Sequence, residues 1–281
     1  MPYKETARKE GLVAFMDILG FSSIEMTEQI AGRVFGIIEQ ALYVLHETIL
    51  SLDPNNLVPD EAVGHLGITE EEMKAIRAEQ NLIHGRVSMS LISDSFVCAA
   101  DMRNLDDAGK KLVTSTFMHM IADVNSHMLA FGLPLRGGVS YGEYYANEKD
   151  GDRASSFLGG AIISAHRLEE RVDAACIVLD EVAVKHCSRY YSRKATGFYS
   201  EDDCSDLCES PVVFKDGKTA EKRICINLAR FLESLWAGSE RDFIEASFAR
   251  HGKSIDSDKV QAKIANSVLF LKNRVPWEGE K

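Results

Sequence analysis

The alternation of apolar and polar positions divides the first two thirds of the chain into short strands and long helices. Residues 11–17 form an apolar run of the length of a buried strand. From about residue 24 to 52, Ile30, Val34, Ile37, Ile38, Ala41, Leu42 and Leu45 keep helical spacing, and Asp53-Pro54-Asn55-Asn56 ends the pattern. Residues 53–85 are polar and interrupted, with a helical piece near 70–81, and read as an insertion. Residues 86–92 and 95–100 predict a hairpin turning at Ser93-Asp94. Residues 107–131 predict a strong helix, with Leu112, Phe117, Ile121, Val124 and Leu129 on one face. One or two strands follow over 133–145, a charged turn over 147–153, a helix from Gly159-Gly160 to about Arg171, a strand over 175–179 and a short helix over 181–187. This order predicts an α+β, ferredoxin-like domain, an antiparallel sheet with helices on one face. Residues 1–187 form its core, with the insertion at about 53–85. Residues 188–281 read as a C-terminal extension packed on that core, with strands at 211–214 and 223–227 and a helix over 256–271.

Two acids interrupt these apolar runs. Asp17 lies in Leu12-Val-Ala-Phe-Met-Asp-Ile-Leu-Gly-Phe-Ser22, and Asp94 in Val87-Ser-Met-Ser-Leu-Ile-Ser-Asp-Ser-Phe-Val-Cys98. An ionised carboxylate beside a core strand is costly without a counter-charge. A divalent cation supplies one, because hard cations take carboxylate oxygens. Gly20-Phe21-Ser22 after Asp17 reads as a turn into a helix N-terminus, a seat for phosphate. Taken singly, Asp17 also reads as a strand-end or helix-capping residue and Asp94 as a turn residue. Metal with phosphate points to nucleotide chemistry.

Composition narrows the partners. The chain has 281 residues and a formal charge of −11, which argues against a nucleic-acid polymer as partner but leaves a single nucleotide open. No apolar run approaches a membrane span and the N-terminus has no apolar signal region, so a cytoplasmic protein is expected. Of the six cysteines, Cys98 and Cys176 read as small core residues. Cys204 and Cys208 lack a second pair at zinc-site spacing.

Four segments in order resemble the class III nucleotidyl cyclases. Phe15-Met-Asp-Ile-Leu-Gly-Phe-Ser22 is similar to the first-strand motif, and Ser93-Asp94-Ser95-Phe96 to the Gly-Asp-x-Phe hairpin, with Ser in place of Gly. Leu135-Arg-Gly-Gly-Val-Ser-Tyr-Gly142 resembles the Arg-x-Gly-Ile-x-x-Gly strand. Gly159-Gly-Ala-Ile-Ile-Ser-Ala-His-Arg-Leu168 resembles the helix that carries a transition-state arginine. The resemblance implies two Mg²⁺ or Mn²⁺ ions per site, held by Asp17, Asp94 and the carbonyl of Ile18. It implies triphosphate binding by the amides of Gly20, Phe21 and Ser22, and charge stabilisation by Arg167. It further implies a homodimer with shared sites.

Two departures bear on the substrate. Ile163 stands where the family carries a ribose-binding Asn, and Ser90 and Ser156 stand at the two base-selecting positions. Two serines fit neither purine code. In this the chain resembles the Pycsar pyrimidine cyclases of bacterial antiphage defence, whose cyclic UMP or cyclic CMP is read by a separate effector protein. UTP is the favoured substrate, with CTP the alternative. An inactive, nucleotide-binding sensor and a purine cyclase with altered base contacts are the other readings.

Overall fold

The computed structural model describes residues 8–24, 27–50, 85–150, 153–192, 205–216, 219–228 and 238–277, with scattered positions between 69 and 83. The helical piece expected near 70–81 lies mostly outside them, as does Cys204. The elements are β1 (Arg8–Ile18), α1 (Glu28–Leu50), β2 (Val87–Ile92), β3 (Ser95–Asp101), α2 (Asp107–Ala130), β4 (Leu135–Asp150), β5 (Arg153–Leu158), α3 (Gly160–Arg171), β6 (Ile177–Leu179), α4 (Glu181–Tyr190), β7 (Leu207–Val212), β8 (Glu221–Ile226), α5 (Glu240–Ala249), α6 (Asp258–Lys272) and β9 (Val275–Pro276).

The α+β class is as expected, and the sheet is richer than a purely antiparallel one. Among the described residues its nine strands run β1-β3-β2-β5-β4-β6-β8-β7-β9, and β1 also pairs with β4. The β2–β5 and β4–β6 pairings are parallel. Helices cover both faces rather than one. Leu12, Ala14, Met16 and Ile18 of β1 pack in one apolar cluster with α1, α2 and α4. The alternate residues Val13 and Phe15 pack with Ala161 and Ala165 of α3. A strand apolar at both parities needs a cover on each side, because successive side chains leave the pleat in opposite directions.

The C-terminal strands continue the same sheet beyond β6, and α5 and α6 bury Ile244, Phe248, Ile264 and Phe270 against Val178, Cys208 and Cys225. The segment read as a charged turn at 147–153 is instead largely strand: β4 extends to Asp150 and pairs back onto β5. Backbone pairing overrides the turn-prone composition there. Tyr144 is a core residue, and Tyr141 stacks on His186 at 4.3 Å while its hydroxyl donates to Glu10.

His186 on α4 is buried against α2, 2.9 Å from the Thr114 hydroxyl. Burial, with Lys110 and Arg189 nearby, pulls its pKa from 6.5 down to about 4. The unfolded chain therefore binds one more proton than the folded one between those values, so stability is lost as pH falls from about 6.5 to 4. His186→Gln should flatten this loss by up to about 3 kcal/mol, read from urea melts at pH 7 and pH 4.5.

Candidate functional site

The structure brings Asp17 and Asp94 together. Asp17 is the penultimate residue of β1, in register with Ser95 of β3 on one side and Arg136 of β4 on the other. Asp94 turns the β2–β3 hairpin beside Ser93, whose φ of 60° closes the turn. The Ile18 amide donates to the Asp94 carbonyl at 3.2 Å and fastens the hairpin tip to the end of β1. Two carboxylates 77 positions apart in sequence thereby share one sheet end.

Each oxygen of Asp17 has a protein partner. The Ser95 hydroxyl donates to Oδ1 at 3.3 Å, and the Arg136 guanidinium donates to Oδ2 at 3.1 Å. Arg136 also reaches Glu169 of α3, with Nε 2.5 Å from Oε1, an ion contact without hydrogen-bond alignment. Glu169 is 2% exposed. Burial raises the Asp17 carboxyl above its ordinary value, Arg136 opposes this, and Asp94 adds to it. Burial likewise raises Glu169, with Arg136 opposing and Asp17 adding. The site is thus two acids, Asp17 and Glu169, on one arginine, with Asp94 beside Asp17.

Arg136 and Glu169 are members of this cluster that the motif reading did not single out. Glu169 continues the stripe of Ala161 and Ala165 at four-residue spacing, and a charge on a buried helical stripe is the sequence signal for it. Arg167 does not join the cluster. It lies two residues from Glu169, about 200° around the helix, and is exposed, its side chain making no hydrogen bond or ion pair among the described residues. Ile163 is also exposed, at 51%.

Gly20, Phe21 and Ser22 follow Asp17 directly, but they do not start the long helix. Gly20 sits at φ 78° and caps a three-residue 3-10 turn, Phe21–Ser23, and α1 begins only at Glu28. Ser90 and Ser156 lie on neighbouring strands without sharing a face. Ser90 pairs with Val97, which packs in one cluster with Phe157, whereas Ser156 alternates with Phe157 and is exposed.

The oxygen donors available are the carboxylates of Asp17 and Asp94 and the carbonyl of Ile18. In kind they fit Mg²⁺ or Mn²⁺. Two like charges held side by side are also what a cation would relieve. Among the described residues no group of three His, Cys, Asp or Glu side chains has the geometry of a complete metal site. A cleft of about 800 Å³ lined by Leu179, Lys185, Arg189 and Ile224 lies elsewhere, between α4 and β8. It holds neither aspartate.

Comparison with known protein families gives no match, and neither does comparison with curated proteins. Solved nucleotidyl cyclase cores resemble the chain. The catalytic core of a rhodopsin-guanylyl cyclase with converted specificity, in complex with ATPαS, is 12% identical, with a TM-score of 0.45 over 81% of this chain and 100% of that one. The adenylyl cyclase CyaB from P. aeruginosa is 14% identical, with a TM-score of 0.42 over 81% and 98%. The guanylate cyclase domain of RhGC from Catenaria anguillulae, in complex with GTP, is 11% identical, with a TM-score of 0.43 over 80% and 100%. Likenesses of this size give no residue of this chain a role. Among the described residues no helix is long and apolar enough to cross a membrane.

Proposed function

We propose that the chain is a nucleotidyl cyclase that converts a pyrimidine nucleoside triphosphate, UTP ahead of CTP, to its 3′,5′-cyclic monophosphate and pyrophosphate. The observation that carries this reading is the meeting of Asp17 and Asp94 at one sheet end, with the Gly20–Ser22 turn leaving directly from it. Asp17, Asp94 and the Ile18 carbonyl would hold Mg²⁺ or Mn²⁺, two ions in the reading the resemblance implies. Bound there, the metal supplies activation of the ribose 3′-hydroxyl and neutralisation of the departing pyrophosphate. Ser95 fixes the orientation of the Asp17 carboxylate, and the Gly20, Phe21 and Ser22 amides would face the triphosphate.

Arg167 points away from the cluster of its own chain. In a homodimer with shared sites it serves the partner's substrate, where a fixed guanidinium stabilises charge developing on the phosphoryl group. The preference for a pyrimidine is supported by the resemblance alone, since Ser90 and Ser156 do not face a common base. The second-messenger role in antiphage defence, with a separate effector reading the product, has the same support.

The test is mass spectrometry of the products formed from each of the four nucleoside triphosphates with Mn²⁺. Cyclic UMP is the expected product. A cyclic purine product would reassign the substrate, and no cyclic product from any of the four would overturn the cyclase reading. Nucleotide binding by calorimetry without turnover would favour the sensor reading, which Ile163 at the ribose position and the outward Arg167 also support.

A further inference from the structure

One arginine between two acids is more than a strand end needs. A single partner would neutralise Arg136, and burying a second carboxylate is costly. Yet Glu169 is almost completely buried under it, and both acids reach the same guanidinium, Asp17 at 3.1 Å and Glu169 at 2.5 Å. Any cation that binds Asp17 meets Arg136 already there. The two are like charges contending for one carboxylate, and in a half-buried site their repulsion is weakly screened. Among the described residues the other acid that contacts the arginine is Glu169, which lies on a different element and meets a different guanidinium nitrogen.

Resting on the reading of Asp17 as a metal ligand, we propose that Arg136 is a tethered counter-cation which Asp17 yields to a divalent ion, and that Glu169 is the positioning residue that draws Arg136 aside as the ion arrives. Before metal enters, Arg136 holds the two acids at a tolerable cost. As metal binds, the guanidinium turns its contact onto Glu169, so that the ion takes over the charge of Asp17 and Arg136 no longer repels it. Glu169 touches neither metal nor substrate in this scheme. It sets the affinity of the metal end of the site through Arg136.

The experiment is Mn²⁺ titration of the full chain, followed by electron paramagnetic resonance of free Mn²⁺, with a thermal melt of each variant. Glu169→Gln leaves the full arginine charge on Asp17 and should raise the apparent Kd for Mn²⁺ about tenfold. Arg136→Gln combined with Glu169→Gln removes one charge of each sign and should return the Kd to within about threefold of the wild-type value, a rescue that a merely structural role would not produce. Glu169→Asp keeps the charge on a shorter arm and should retain most of the affinity, which provides a reading should Glu169→Gln fail to fold. A Glu169→Gln protein that binds Mn²⁺ as tightly as wild type, or a double variant no better than the single one, overturns the proposal. Asp17→Asn separates this failure from that of the underlying reading. If Asp17→Asn loses Mn²⁺ while Glu169→Gln does not, only the role of Glu169 falls. If Asp17→Asn binds like wild type, the metal-ligand reading falls and this inference with it.

Discussion

Asp17→Asn is expected to lose at least about a thousandfold in turnover while melting a few degrees higher than the parent chain. The loss follows from the proposed chemistry. A neutral amide is a poor ligand for a hard cation, and the several kcal/mol of charge stabilisation a metal supplies corresponds to three or more decades in rate. The gain follows from the fold. Burial and the neighbouring Asp94 together outweigh Arg136 and leave the carboxyl with a raised pKa, so its ionisation opposes folding at neutral pH. That cost is absent in strongly acid solution and appears as pH rises through the ordinary Asp value of 3.8. Asparagine keeps the shape and removes the charge, and Arg136 retains Glu169 as its partner. Each kcal/mol recovered raises Tm by about 2–4 °C in a chain of this size. The gain should be largest at neutral pH and vanish below about pH 4. Asp94→Asn should match the loss of turnover. A variant that kept its activity, or lost it only by unfolding, would remove the two acids from the chemistry.

Much of this arrangement was legible in local pattern. The apolar run before Asp17, the hairpin around Ser93-Asp94 and the stripe from Leu112 to Leu129 each carry their own period, and each appears as β1, β2–β3 and α2. What local pattern did not show depends on partners far away in sequence. The polar end of β4 is a strand because β5 pairs with it, and Asn147 to Asp150 carry no strand signal of their own. Arg136 becomes the counter-ion of Asp17 only through the β1–β4 register, which nothing in either segment fixes alone. Two features were within reach. Both parities of β1 are apolar, which calls for helices on both faces, and Glu169 falls on the Ala161–Ala165 stripe while Arg167 falls off it. A motif match drew notice to Arg167, whereas helical phase identifies Glu169 as the side chain turned into the fold.

The seating of α3 on β4 makes Gly138 the second position of large effect. A Cβ there would lie 2.3 Å from the Ala165 carbonyl oxygen and 2.8 Å from Leu168 Cβ, so there is no room for it while α3 stays in place. Backbone cannot rotate away as a flexible side chain can, and the helix must lift. Gly138→Ala should therefore cost at least about 3 kcal/mol, at the upper end of overpacking changes. Tm would fall by about 6–12 °C. Gly142, four residues further along the same strand, is the internal control, because a Cβ there meets only Ala161 Cβ at an ordinary 3.7 Å. Gly142→Ala should be neutral or slightly stabilising through the lower entropy of its unfolded chain. The two alanines also differ in what they do to the site. Lifting α3 carries Glu169 away from Arg136 and leaves the guanidinium wholly on Asp17, so surviving folded Gly138→Ala protein should bind Mn²⁺ as weakly as Glu169→Gln does, whereas Gly142→Ala should bind like the parent. Equal melting temperatures for the two variants would mean that α3 does not rest on β4 as described, and the Asp17–Arg136–Glu169 cluster would lose the helix that completes it.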